Sequence, residues 1–161
     1  MTDDFLVADA RQRYRFDAMV ASLAADPRLL VPQLALAAPE RLTFVTRSPQ
    51  DGNRYVDEYL NGNDRAILVA VHRAATVAAA REALLGFLAN CMALDLPTAA
   101  SRGVVVGDLA YTDLGTPISL LAFVRHNLFV TVRYAGGEAG DDLARVAGDI
   151  DRQIQAAATP L

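Results

Sequence analysis

The stretch ISLLAFVRHNLFVTVRY, residues 118–134, decides how this chain folds. Two apolar runs rich in β-branched and aromatic residues flank the short polar centre Arg125-His126-Asn127, which reads as two strands joined by a turn. His and Asn are among the non-glycine residues that best accept a left-handed backbone, as a tight reversal requires. Residues 118–124 and 128–134 are therefore predicted to pair antiparallel.

Upstream of this hairpin, residues 104–112 read as a further strand entered from a small-residue loop after Pro97. Before it, Thr76 can cap a helix in which Val77, Leu84, Leu88 and Cys91 form one stripe to about Met92. Residues 66–72 are apolar on both faces, the mark of a central strand covered on each side. Residues 42–46 and 54–60 precede it as a hairpin. Its loop is expected to be loose, from Ser48, Pro49, Asp51, Gly52 and Asn53, and Asn61-Gly62-Asn63-Asp64 supplies the next turn.

The two ends are helical. Phe16, Met19, Val20 and Leu23 recur at helical spacing over residues 9–25, with Asp9 as N-cap and Arg11, Arg13 and Arg15 spread round it as a basic collar. Pro27, Pro32 and Pro39 then predict an irregular connection. After Gly136, Gly137 and Gly140, Asp141 or Asp142 opens a last helix with Leu143, Val146, Ala147, Ile150 and Ile154 on one side. Asp142–Arg145 and Asp149–Arg152 can pair on its other side. The expectation is a single α+β domain over 1–161, its sheet-helix body at about 41–156, with about six antiparallel strands in the order α-βββ-α-βββ-α.

The bulk properties exclude several function classes. A chain of 161 residues forms a core without a metal or disulfide staple, and the lone Cys91 reads as a packed residue. A net charge of −4 and a pI near 5.0 oppose a nucleic-acid partner, since phosphate binding needs a basic field. All 15 basic residues are Arg, which fits a GC-rich genome better than a recognition surface. No apolar run approaches the roughly 20 residues of a membrane span. The first nine residues carry Asp3, Asp4 and Asp9 and lack a signal-peptide pattern, so a cytoplasmic location is expected, or a periplasmic or secreted one if a leader has been trimmed.

No catalytic constellation is legible. His72 and His126 are the two imidazoles, neither with Cys, Asp or Glu at metal-ligand spacing, and no metal or cofactor is expected. His72 ends a strand and His126 sits in a turn. Asp108 follows Gly107 at a strand entrance, where a carboxylate organises backbone N–H groups. Asp57 and Glu58 are adjacent in a strand and point to opposite faces, so they cannot act as an acid–base pair. Tyr55 and Tyr59 share the Asp57 face, a candidate binding surface or a half-exposed sheet edge. Ser48, Ser101 and Ser119 lack a nucleophile elbow. The candidates for binding are thus Tyr55, Asp57, Tyr59, His72, Asp108 and His126.

Residues 54–89, RYVDEYLNGNDRAILVAVHRAATVAAAREALLGFLA, and residues 107–154, with GDLAYTD, then LAFVRHNLFVTV, then LARVAGDIDRQI, resemble a group of small bacterial domains. Those domains occur mostly in secreted or lipid-anchored proteins, and their fold is similar to the PsbP/Mog1 type. In that group a Gly-Asp after a strand, an Arg-x-Asn turn and a closing Ile-Asp helix recur, with Gly usual where His126 stands here. The resemblance implies a non-enzymatic binding or protein-interaction module whose partner is a protein or a small molecule. The element order, size and acidic pI also resemble class I chaperones of type III secretion, which implies a homodimer that accepts an extended segment. An enzyme of unrecognised type would have to draw on His72, His126 or Asp108.

Overall fold

A computed structural model describes residues 2–24, 28–62, 65–91, 95–135 and 140–160, with side chains from residue 4 onward. The readings that involve Ala25, Pro27, Asn63, Asp64, Met92, Gly136 and Gly137 lie outside the described residues.

In chain order the elements are α1 (Thr2–Arg13), α2 (Phe16–Ala21), β1 (Leu29–Leu30), β2 (Thr43–Asp51), β3 (Arg54–Asn61), β4 (Arg65–Arg73) and α3 (Val77–Asn90). They continue with β5 (Leu109–Thr112), β6 (Leu120–Arg125), β7 (Leu128–Tyr134), α4 (Leu143–Ala157) and β8 (Thr159–Pro160). The main sheet runs β2-β3-β4-β7-β6-β5 with every neighbour antiparallel, so the α+β class and the six-strand antiparallel sheet are as expected. β1 and β8 form a separate two-stranded pair.

The β6–β7 hairpin turns on His126-Asn127, and His126 takes a φ of 52°. Asn127 is buried and clamps the turn: its Nδ2 donates to the carbonyls of Val31 and Ala74, and its Oδ1 accepts from Val31 N at 2.7 Å. The Thr76 hydroxyl accepts from Ala79 N at 3.0 Å, the predicted cap. Val77, Leu84 and Leu88 are buried, while Cys91 falls just past the helix and is half-buried.

One face of the sheet, with Tyr59, Ile67, Val69, Leu121 and Val132, packs against the apolar side of α4 and against Val31, Leu36 and Leu42 of the irregular connection. The opposite face, with Tyr111, Ala122 and Val124, packs under α3, Ala10 and Phe16. Each fully buried large apolar side chain contributes about 1.5–3 kcal/mol. α3 and α4 lie chiefly over β6 and β7, so helical cover thins toward β2, β3 and β4.

Four boundaries differ from expectation. The N-terminal helix spans residue 2 to residue 13 and then breaks, because Arg15 adopts a left-handed φ of 49°. Asp9 is therefore inside α1, bonded to Arg13, and not a cap. Arg11 bonds both Asp17 and Glu82 at 2.7 Å, which ties the helical pair to α3. Ser48 and Pro49 belong to a nine-residue β2, and the hairpin closes tightly at Gly52-Asn53; an edge strand tolerates a proline that a central one would not. The strand expected over 104–112 is only Leu109–Thr112, since Gly107 takes a φ of +65° and turns the chain. β6 starts at Leu120 because Asp113 holds the N–H of Ser119 at 3.0 Å just before it. At α4, Asp142 occupies the cap position without a side-chain cap bond, and its carboxylate meets Asn61, Arg65 and Arg145 instead. Among the described residues no helix is long and apolar enough to cross a membrane.

Candidate functional site

Gly107, Asp108, Arg125, His126 and Asp151 are spread over more than forty residues of sequence and meet in one place. Arg125 donates from Nε and Nη2 to the two oxygens of Asp151, at 2.7 and 2.8 Å, and from Nη1 to Asp108 at 3.0 Å. Asp108 also accepts from the backbone N–H of His126, and Asp151 from that of Gly107 and from Gln155. Both carboxylates are nearly buried, and the hydrogen bonds to Asp151 push the Arg125 guanidinium upward against the opposing effect of burial. Three of the five guanidinium N–H groups are taken, and two carboxylates already face its single positive charge. The Gly-Asp, Arg-x-Asn and Ile-Asp pieces of sequence thus build a knot that pins the β6–β7 turn to α4.

A second knot forms on β2 and β3. Asp57 is fully buried, receives Arg47 through two bonds at 2.6 and 2.7 Å, and accepts the Tyr59 hydroxyl at 2.8 Å. Burial and then the Asp57 carboxylate push the Tyr59 hydroxyl upward, so it stays a donor at every physiological pH. The Asp57–Tyr59 face is accordingly interior, not a half-exposed edge. Glu58, on the other face, is half-buried.

Tyr55 and His72 are different, because they border open hollows. On the α3 side of the sheet, where α3 stops short of β3, a cleft of about 380 Å³ has Val56, Ala70, Phe87 and Phe129 as its apolar surface and His72, Asn90, Gln50 and Arg54 around it. The Phe87 and Phe129 rings lie 5.8 Å apart. His72 stands between Arg54 and Phe129 in the strand register, and burial, then the Arg54 charge, lower its pKa below 6.5. It is neutral near pH 7. Asn90 Nδ2 donates to Gly86 O, which leaves its Oδ1 as an acceptor.

Among the described residues no carboxylate hydrogen-bonds His72, and no group of Cys, His, Asp and Glu could hold a metal. Ser119 is bonded to Asp113, Ser101 to Thr98, and Ser48 lies exposed on β2. Burial pushes the Cys91 thiol up, away from the reactive thiolate. What the cleft can do is enclose a ligand.

The sequence reading reached His72 and Tyr55 but missed Phe87, Phe129 and Asn90. Helix periodicity does hint at Phe87, which follows Leu84 by three residues and so lies at the edge of the Leu84–Leu88 stripe, half-buried. No family model, curated protein or solved structure matches the chain.

Proposed function

We propose that this chain is a non-enzymatic binding module, of the PsbP/Mog1 type that its sequence resembles, and that it takes a small uncharged aromatic ligand in the α3-side cleft. The observation that carries the reading is the division of polar groups. The carboxylates of Asp57, Asp108 and Asp151 are consumed by arginines inside the fold, while the α3-side cleft offers two phenyl rings, a neutral imidazole and an amide oxygen, with Arg54 at its edge facing Asp51 at 3.7 Å. A concave apolar surface with a few polar groups suits a small molecule, and a hollow of this size falls within the usual range. Titration calorimetry with indole, which has a flat apolar body and one N–H donor, tests it. Saturable binding that Phe87→Ala weakens about tenfold, ~1.4 kcal/mol, supports the reading; indole binding that is absent, or indifferent to Phe87→Ala, overturns it.

A homodimer is the second reading, favoured by β2. This edge strand is exposed along its length and leaves Phe44 48% and Val45 46% accessible, an opening for strand addition. Pro49 and two register shifts work against it. Light scattering on the eluting protein separates the cases: a dimer that Val45→Arg dissociates supports this reading, and a monomer at high concentration removes it.

A further inference from the structure

Leu128 of β7 is flanked in register by two arginines, Arg125 of β6 and Arg73 of β4. Arg125 is matched by two carboxylates. Arg73 is matched by none among the described residues; its one side-chain bond is from Nη2 to the amide oxygen of Asn53, at 2.8 Å. Half-buried at the rim without a counter-charge among the described residues, Arg73 keeps most of its five N–H groups open to solvent or a ligand.

Arg73 also stands where two hollows meet. One, of about 440 Å³, has Leu34, Val71, Leu128 and Tyr55 as its apolar surface; the other, of about 340 Å³, runs between Leu30–Pro32 and Thr159–Pro160. Asn53 and Arg73 line both, and among the described residues neither hollow has an Asp or Glu in its wall, in a chain where acidic residues outnumber basic ones by 19 to 15. Arg47 stands beside the first hollow, stacked 4.2 Å over the Tyr55 ring. Its charge is balanced by Asp57, yet its Nη1 has no acceptor among the described residues.

We propose that Arg73 is the anchor of a second binding site, distinct from the α3-side cleft, for a small monocarboxylate with a branched apolar body. The guanidinium fork and the Asn53 amide receive the carboxylate, and Val71, Leu128 and Leu34 receive the apolar part. A single uncompensated positive charge matches a monoanion, whereas a phosphate dianion would need more.

Two-dimensional ¹H–¹⁵N spectra of the full chain, titrated with isovalerate at constant ionic strength, test the proposal. The expected result is saturable shifts of the Gly52, Asn53, Val71 and Arg73 amides, weakened about tenfold by Arg73→Gln and restored in part by Arg73→Lys. Phe87→Ala, in the other cleft, leaves this binding unchanged, so the two sites stand or fall separately. Isoamyl alcohol, the same body without the charge, binds about tenfold more weakly or not at all. The proposal is overturned if the shifts fail to saturate, if Arg73→Gln binds as well as the parent chain, if the alcohol matches the acid, or if inorganic phosphate binds more tightly than isovalerate.

Discussion

The rim of the sheet carries two arginines in sister positions, and the two regions around them are built differently. At Arg125 helix α4 lies close, Asp151 reaches down from it, and Asp108 closes the other side. At Arg73, two strands away, helical cover has ended and the neighbours are an amide, apolar side chains and open space. The same residue type is a rivet where α4 covers it and, among the described residues, meets no carboxylate where no helix does. At this rim the cover of α4, and not the identity of the polar residue, separates the paired arginine from the one without a carboxylate.

The sharpest way to break that contrast is at Gly107. A Cβ there would lie 2.6 Å from the Val124 carbonyl and 2.8 Å from the Phe123 ring, with the backbone at positive φ. Gly107→Ala is expected to cost about 3 kcal/mol or more in urea unfolding, because neither a backbone oxygen nor a packed ring can yield. The next largest effect compares the arginines directly. Arg125→Gln leaves two nearly buried carboxylates without their cation and should cost about 2–3 kcal/mol, after discounting for the partial exposure of the guanidinium. Arg73→Gln should stay within about 0.5 kcal/mol of the parent chain. Equal losses would erase the distinction between the two regions.

Phe87→Ala is expected to lower stability by about 1 kcal/mol, since the ring is only half-buried, while it removes most of the indole binding. The smallest effect concerns His72, whose pKa in the fold lies below 6.5 because of burial and Arg54. Between that lowered value and 6.5 the unfolded chain binds more protons than the folded one, so stability falls as the pH drops through this window. His72→Gln should flatten that part of the stability–pH curve, measured by thermal unfolding; an unchanged slope would place the imidazole in water.

Much of the closed region was legible in the sequence. The His126-Asn127 turn, the Thr76 cap, the apolar side of α4 and its Asp142–Arg145 and Asp149–Arg152 pairs all follow from local rules that act within a few residues. The convergence of Asp108, Arg125 and Asp151 was not legible, since it depends on how α4 is laid on β6. Asp151 lies beside Ile150 on the buried side of α4, but nothing local names its partner. From sequence, Asp57 and Tyr59 fall on a candidate binding surface or a half-exposed edge, because the length of β2, and the Arg47 it delivers, are hidden by Ser48-Pro49. The open region was least legible: Phe87 meets Phe129 across the gap between a helix and a strand, and Arg73 is notable only for what does not reach it.

The most direct test of the central claim is a ¹H–¹⁵N shift map of the chain saturated with indole. Perturbed amides are expected at Val56, Ala70, His72, Phe87 and Phe129, with Gly107, Asp108, His126 and Asp151 unmoved. Perturbations gathered on Asp108, His126 and Asp151 would contradict the account, because they would put the ligand where Arg125 and its two carboxylates already fill the space.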